Sequence, residues 1–255
     1  AVSIKTTAEI ESMRKAGRLA AACLEALIPL VKPGALPVDL DQACHEWTLA
    51  HGAIPAPLNY HGFPKSLCIS VNDVVCHGIP NLVALRSGDI VNLDVTPKLD
   101  GFHGDTSATL LVGEVAPEAR HLVEVTYQAM WDGIRMVKAG NTLGDIGHAV
   151  QQRAELNGFS VVLEYCGHGI GRVFHEEPTI LHVGKPGTGI KMKAGMIFTI
   201  EPMINMGKRE IYVEDDGWTV RTKDGSLSAQ FEHTVLVTET GYEVLTQGTD
   251  TWPSS

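Results

Sequence analysis

Two stretches of the chain decide its fold: Gly88-Asp-Ile-Val-Asn-Leu-Asp94 and Gly195-Met-Ile-Phe-Thr-Ile-Glu201. In each, a glycine precedes a short apolar run, and an acid stands six positions after the glycine. Runs of this length and composition are typical of buried strands. Each acid is followed by another beside a further strand-like run, Asp105 in the first half of the chain and Glu232 in the second. The sequence therefore predicts one structural unit that is used twice.

Other matches occur in the same order along the two halves. The matched pairs are Gly34 with Gly140, Gly52 with Gly158, His77 with His168, and Asp94 with Glu201. Three of these four pairs lie 106 or 107 residues apart. We interpret the pattern as an internal duplication, with halves of approximately 1–115 and 116–255 fused into a single catalytic domain of residues 1–255.

Helical patterns alternate with the predicted strands. Thr6 and Glu9 form a capping box before the first helix, Asp39 is expected to cap the second, and Pro117 and Thr142 begin two more. The predicted helices end near Gly34, Gly52, Gly140 and Gly158. Strands are predicted at 67–71, 89–95, 102–112, 161–163, 196–200, 231–237 and around Tyr212. The order of these elements predicts the α+β class.

Four carboxylates beside apolar strands predict a metal site. Buried as bare anions they would repel one another and lose their hydration, at a cost of many kcal/mol. The duplication brings Asp94, Asp105, Glu201 and Glu232 together, and two divalent cations ~3.5–4 Å apart would neutralise them. His168 lies in a glycine-rich stretch and is the predicted fifth ligand. This donor set suits Mn²⁺, Fe²⁺ or Co²⁺ at least as well as Zn²⁺, so the identity of the metal stays open.

Two more histidines are candidate functional residues. His77 precedes no predicted ligand, and His175 lies in a segment between His168 and Glu201 that is 16 residues longer than its first-half counterpart. Such an insertion is expected to form a wall or lid beside a site, although a hydrogen-bonded loop histidine is the alternative. The remaining eight are interpreted as structural or surface residues: His45, His51, His61, His103, His121, His148, His182 and His233.

The composition argues against several classes of protein. The 255 residues are 44% hydrophobic with a net charge of −10, which argues against disorder and against a basic nucleic-acid-binding surface. No apolar run approaches the ~20 residues of a transmembrane helix, and no signal peptide is recognisable. The five cysteines are scattered, so reduced thiols and a cytoplasmic location are expected. Complete zincin, serine-hydrolase and phosphate-loop motifs are missing.

Six longer motifs carry a specific resemblance. They are Tyr60-His-Gly-Phe-Pro-Lys-Ser66, Cys76-His-Gly-Ile-Pro80, Asn92-Leu-Asp-Val95, Phe102-His-Gly-Asp-Thr106, Gly167-His-Gly-Ile-Gly171 and Thr199-Ile-Glu-Pro202. With these motifs the chain resembles the type I methionine aminopeptidases over almost its full length. The resemblance implies the pita-bread fold, in which two pseudo-two-fold-related halves enclose a dinuclear metal cleft. The chain is similar to the short bacterial form, which lacks an amino-terminal extension.

The resemblance also assigns roles to the candidate residues. One ion would be held by Asp94, Asp105 and Glu232, and the other by Asp105, His168, Glu201 and Glu232. Glu201, His77 and His175 would be catalytic, the two histidines by contacting the peptide near the scissile bond. The methionine pocket would be walled by Tyr60, Phe63, Cys68, Phe174 and Trp218. A monovalent cation would be held by main-chain oxygens of Asn72, Val74 and Ser228.

Two positions depart from the family pattern. Pro57 stands where the family often has a second cysteine, and Phe63 stands where tyrosine is common. Both lie in the expected wall of the methionine pocket. They affect the details of the pocket and leave the expected substrate class unchanged.

The implied activity is metal-dependent removal of the initiator methionine from nascent proteins and peptides whose second residue is small. The expected partners are nascent amino termini, including those at the ribosome, with no nucleic acid or membrane partner, and the protein is expected to be a monomer. Two alternatives stay open. One is an X-Pro aminopeptidase or dipeptidase of the same fold, which shares the five ligands but usually has an extra amino-terminal domain. The other is a non-catalytic ribosome-associated module on the same scaffold. Proteins of that kind have lost some of the metal ligands.

Overall fold

Four helices, two in each half of the chain, frame the computed structural model, which describes residues 1–248. They are α1 (Thr7–Leu27), α2 (Pro37–Ala50), α3 (Pro117–Arg135) and α4 (Leu143–Leu156), with short 3-10 turns at Ile28–Leu30 and Tyr60–Gly62. The capping box of Thr6 and Glu9 is confirmed. Asp39 as the cap of α2 is wrong, because proline with its fixed φ begins that helix at position 37. Asp39 lies in the first turn, where a negative charge suits the helix dipole.

Short antiparallel strands make up the five sheets of the described residues. They are β1 (Ile54–Pro55), β2 (Cys68–Val71), β3 (Val74–Cys76), β4 (Ile90–Val95), β5 (Pro97–Leu99), β6 (Phe102–His103), β7 (Thr106–Leu111), β8 (Ser160–Val161), β9 (Gly167–Gly169), β10 (Glu176–Ile180), β11 (Ile197–Ile200), β12 (Met203–Asn205), β13 (Ile211–Val213), β14 (Val220–Thr222), β15 (Ser228–Gln230), β16 (His233–Val237) and β17 (Tyr242–Val244). The sheet orders are β1-β5-β6, β2-β4-β7, β13-β14-β3, β15-β12-β8 and β10-β9-β11-β16-β17.

Two of these sheets are counterparts of each other. In β2-β4-β7 and in β9-β11-β16, the strand that carries an acid at its carboxyl end, β4 or β11, lies in the middle. The halves meet where Ser107 and Glu232 exchange backbone hydrogen bonds of 3.0 and 3.2 Å. Turn glycines repeat too, since Gly52 and Gly158 both have φ of 76°. The strand order and the turn glycines therefore repeat between the two halves of the chain.

His77 is not the structural counterpart of His168, so that pairing is wrong. His168 lies in β9, which pairs with β11. The counterpart of β11 is β4, and the matching neighbour of β4 is β2. His77 instead follows β3, which belongs to a different sheet. The shared His-Gly-Ile tripeptide is a local coincidence and has no part in the repeat.

The predicted strand at 102–112 is interrupted between β6 and β7. Gly104 lies so close to α1 that a Cβ at this position would be 2.1 Å from the carbonyl oxygen of Ala16. The chain bends here, and Asp105 lines the central cleft. The helix predicted to reach Gly140 ends at Arg135, and a turn covers the remaining residues.

The helices pack against the outer faces of the two counterpart sheets. Leu27 of α1 and Leu40 of α2 share a core with Val91 and Leu93 of β4. The second and larger core joins α3 and α4 to β11, β15 and β16. All five cysteines are free thiols. Within residues 1–248 no helix combines the length and apolarity that crossing a bilayer requires.

Candidate metal centre and substrate cleft

The five predicted metal ligands lie in the cleft between the counterpart sheets. Asp94 is near the end of β4, Asp105 precedes β7, His168 is the middle residue of β9, Glu201 follows β11 and Glu232 precedes β16. The ligand atoms of Asp105, His168, Glu201 and Glu232 all lie within 4.8 Å of one another. Asp94 lines the same pocket as Asp105, His168 and Glu201. Strand ends from both halves thus bring four carboxylates and an imidazole together.

Charge is concentrated at this cluster. Burial and the neighbouring charges of Asp105 and Glu201 raise the pKa of Asp94 and of Glu232 well above the usual range. Burial alone would lower the pKa of His168, but contacts with Asp105 and Glu201 outweigh burial and raise it to about 10. The chain by itself therefore favours protons on three of the five groups, and a bound cation would displace them.

Two details of the cluster fit a cation. Both carboxylate oxygens of Glu232 are buried, and no donor group of the described residues reaches them. His168 donates from Nδ1 to the carbonyl oxygen of Gly169 at 2.9 Å, since a carbonyl can only accept. Its Nε2 lies 3.5 Å from Asp105 and 3.4 Å from Glu201. With Nδ1–H fixed, Nε2 is the nitrogen that faces the carboxylates, and it would be the ligand atom once a cation displaces its proton.

Four residues that the sequence did not single out hold these ligands in place. Thr96 Oγ1 donates to Asp105 at 3.0 Å. Thr199 Oγ1 donates to Glu201 Oε2 at 2.7 Å and accepts from the backbone N–H of His168 at 3.0 Å. His182 Nε2 accepts from the backbone N–H of Glu201, and Gln230 donates to its carbonyl oxygen. The contacting residues are Thr96, Thr199, His182 and Gln230. The sequence contained one weak indication of this role: Thr96 stands two positions after Asp94, and Thr199 stands two positions before Glu201.

His77 and His175 both line the cleft. His77 has a left-handed backbone with φ of 55°, which is costly for a residue other than glycine. Gly78 follows so close to β2 that a Cβ would lie 2.0 Å from the carbonyl oxygen of Ile69. His175 packs in parallel on Phe174, with ring centroids 4.0 Å apart. Burial lowers the pKa of both histidines, so the structure favours neutral imidazoles.

An aromatic cavity of about 170 Å³ opens beside the cluster. Its lining includes Pro57 and the predicted wall residues Tyr60, Phe63, Cys68, Phe174 and Trp218, with both histidines. Phe63 meets Trp218 edge-on at 5.2 Å, and Tyr60 tilts against Phe174 at 4.8 Å. A second cavity of about 150 Å³, bounded by Tyr165, Cys166, Met203 and Gln230, shares Asp94, His168 and Glu201 with the first. Two side-chain pockets therefore meet at the candidate metal centre.

The predicted monovalent-cation residues lie outside this cleft. The carbonyl oxygen of Asn72 accepts from the backbone N–H of Ser228 at 3.0 Å, and Val74 begins β3. Asn72 and Val74 line a larger cavity of about 480 Å³. Arg221 in that cavity pairs with Asp73 and Glu214. The other two carboxylates of that cavity are held by hydrogen bonds, Asp89 to the Asn72 side chain and Asp216 to the backbone N–H groups of Trp218 and Thr219.

Most of the other histidines make structural contacts, as predicted. His103 Nδ1 donates to the carbonyl oxygen of Gly171, and His233 Nδ1 contacts the Thr246 hydroxyl. His61 is exposed. His182 has a more important contact than these. Among the described residues, its Nε2 is the only side-chain atom that accepts a hydrogen bond from the backbone N–H of Glu201.

The chain is similar to known proteins over almost its whole length. The profile of metallopeptidase family M24 matches residues 11–239. Methionine aminopeptidase A of Synechocystis sp. is 54% identical over 248 residues, which cover 97% of this chain and 98% of that protein. A crystal structure of methionine aminopeptidase from Rickettsia prowazekii superposes with a TM-score of 0.96 at 53% identity, covering 97% of this chain and 100% of that one.

More distant structures share the fold alone. Prolidase from Pyrococcus furiosus superposes with a TM-score of 0.78 at 23% identity, and the match covers 97% of this chain but 66% of that one. The pita-bread architecture that the resemblance implied is therefore confirmed. With its profile match and its near-complete alignments to close relatives, the chain belongs to metallopeptidase family M24, and within it to the methionine aminopeptidases.

Proposed function

We propose that this protein removes amino-terminal methionine from peptides and newly made proteins whose second residue is small. The observation that carries the proposal is the junction of an aromatic cavity with the carboxylate and histidine cluster. Methionine is flexible, and its thioether packs favourably against aromatic rings such as Tyr60, Phe174 and Trp218. The adjoining cavity of about 150 Å³ beyond Glu201 would receive the second side chain.

We assign two divalent cations to the cluster. Asp94, Asp105 and Glu232 would hold one, and Asp105, His168, Glu201 and Glu232 would hold the other, with Asp105 and Glu232 shared. Such cations polarise a peptide carbonyl and acidify a water, and they neutralise the four carboxylates. Mn²⁺, Fe²⁺, Co²⁺ and Zn²⁺ all suit oxygen donors with one imidazole. In the metal-free chain the pKa of Asp94 and of Glu232 is raised, which means that each site disfavours a bare carboxylate. Bound cations would remove this cost by displacing the protons, and this supports the assignment.

The chain's own side chains would divide the remaining work. Glu201 accepts the proton of the attacking water at its carboxylate and delivers it to the leaving amine. Its Oε2 is kept in place by Thr199. His175 donates to the oxygen that becomes negative when the carbonyl is attacked, and His77 binds near the amide nitrogen. The ring of His175 is held by Phe174, which stacks on it with centroids 4.0 Å apart.

The cellular setting follows from the same substrate. We place the protein in the cytoplasm, where its five free thiols are stable and where new chains carry methionine. It acts as a monomer on nascent amino termini, including those at the ribosome. A monovalent cation held by the main-chain oxygens of Asn72, Val74 and Ser228 would brace the sheet beside His77.

Peptide turnover tests the proposed function against its rivals. Met-Ala-Ser, Met-Trp-Ser and Ala-Pro peptides are incubated with the protein in the presence of Mn²⁺ or Co²⁺ and after chelation. We expect release of methionine from the first peptide only, and only with metal. Cleavage of the proline peptide alone would establish an X-Pro peptidase, and absence of cleavage under every metal would favour the non-catalytic module.

His77→Ala is expected to lower kcat by about 100-fold while the protein keeps its metal content. A side chain that contacts the reacting peptide contributes this much, and His77 donates no ligand in the assignment above. Elemental analysis of the purified variant, beside turnover of Met-Ala-Ser, checks both parts. Loss of metal from the variant would show that His77 is a ligand and would contradict the assigned role.

A further inference from the structure

One hydrogen bond in the cleft joins an aromatic wall residue to a candidate catalytic residue. The hydroxyl of Tyr60 lies 2.7 Å from Nδ1 of His175. This is the only hydrogen bond that Tyr60 makes through its side chain among the described residues. Two neighbours of Tyr60, Asn59 and His61, have left-handed backbones with φ of 67° and 48°. Backbone strain of this kind is retained where it positions a functional side chain. Here it directs the phenol of Tyr60 toward the imidazole of His175.

The chemistry of the two groups sets the direction of this bond. A phenol with a reference pKa of ~10 is a good donor, and an imidazole nitrogen with a reference pKa of ~6.5 is a good acceptor. The reverse bond would join a weak N–H donor to a weak phenolic acceptor. It would also turn the bare Nε2 lone pair toward a cleft lined by carboxylates. Stacking on Phe174, with the ring planes 10° apart, prevents His175 from turning away.

We propose that Tyr60 is a positioning residue that fixes the tautomer of His175. Its hydroxyl donates to Nδ1, so the single proton of the neutral imidazole stays on Nε2. The Nε2–H is then the donor that meets the developing negative charge on the substrate carbonyl oxygen, a step that rests on the proposed function. Tyr60 therefore has two roles. Its ring lines the methionine pocket, and its hydroxyl orients His175 for the reaction. Within residues 1–248 no side chain hydrogen-bonds to the ring of His77, which Tyr165 and Trp218 contact edge-on.

Tyr60→Phe separates the two roles, because it keeps the ring and removes only the hydroxyl. We expect kcat for Met-Ala-Ser to fall about tenfold and KM to stay within about twofold, the effect of losing one oriented hydrogen bond in the transition state. Tyr242→Phe is the matched control, since Tyr242 is exposed on β17 outside the cleft. A rise in KM with unchanged kcat would mean that Tyr60 is only a wall and would overturn the proposal.

The tautomer itself is measured without turnover. The ring nitrogens of His175 are observed by ¹⁵N NMR in protein loaded with diamagnetic Zn²⁺, and His175→Gln assigns the signals. We expect an unprotonated, hydrogen-bonded Nδ1 and a protonated Nε2 in the wild type, with the Nδ1 signal shifted in Tyr60→Phe. A protonated Nδ1 in the wild type would overturn the proposal. Failure to cleave any methionyl peptide would refute the proposed function, while the NMR signals would still decide the tautomer.

Discussion

Glu201→Gln is expected to lower kcat for a methionyl peptide by about 1,000-fold, because it removes the proposed proton acceptor without changing its shape. General acid–base catalysis by one positioned group contributes 10²–10⁴-fold. Glu201 is well placed for the role. Burial opposes ionisation of Glu201, but contacts with Glu232 and His168 outweigh burial and lower its pKa to about 2 in the metal-free chain, so the group is a carboxylate with a lone pair to accept a proton. Thr199, His182 and Gln230 fix its carboxylate and backbone.

The metal content of this variant shows whether it has lost only the proton acceptor or a metal ligand as well. Elemental analysis and steady-state kinetics are carried out on Glu201→Gln, and on Glu239→Gln as a control on an exposed acid after β16. Reduced activity with metal retained indicates loss of the base, and excess Mn²⁺ would then leave kcat low. A metal-loaded variant with kcat within tenfold of the wild type would contradict the role of Glu201 as the base.

The cluster of candidate metal ligands could be predicted from sequence because its position depends on a repeat. Asp94 and Glu201 each end a short apolar run after a glycine, and the 107-residue offset places them on counterpart strands. Repeat reasoning fails where it relies on a tripeptide alone. The pairing of His77 with His168 ignored which strands are neighbours, and strand pairing is a long-range property that three residues do not encode.

The residues that hold the ligands could not be predicted in the same way. Threonine is common in strands, so Thr96 and Thr199 read as strand formers until the structure shows their hydroxyls on Asp105 and Glu201. His182 reaches the Glu201 amide only because the inserted segment folds back as β10. Several strands of two or three residues, such as β1, β3 and β14, were missed for a related reason, although β8 and β13 fall at predicted positions. Their stability comes from partners distant in sequence, and they are too short for a periodic pattern.

Glu232→Gln is expected to abolish metal-dependent stabilisation together with activity. A ligand that binds only the folded state at 1,000 times its Kd stabilises it by about 4 kcal/mol, which raises Tm by about 10 °C for a chain of this size. Glu232 is assigned to both cations, and no donor group of residues 1–248 reaches its two buried oxygens. The amide of glutamine offers one neutral oxygen in their place. We therefore expect the metal-induced rise in Tm to fall below about 2 °C and kcat to fall by more than about 1,000-fold.

A comparison of the metal-free wild type with the metal-free variant shows whether the lost stability comes from the cations. Without metal, burial of Glu232 and repulsion of its charged form by Asp105, Glu201 and Asp94 raise its pKa, and this costs folding free energy at neutral pH. The neutral glutamine removes that repulsion, so metal-free Glu232→Gln is expected to melt at the same temperature as the metal-free wild type or higher. A variant damaged only in packing would melt lower in both states. Calorimetry with chelator and then with Mn²⁺ separates the cases, and a full metal-induced shift in the variant would show that Glu232 is not a ligand.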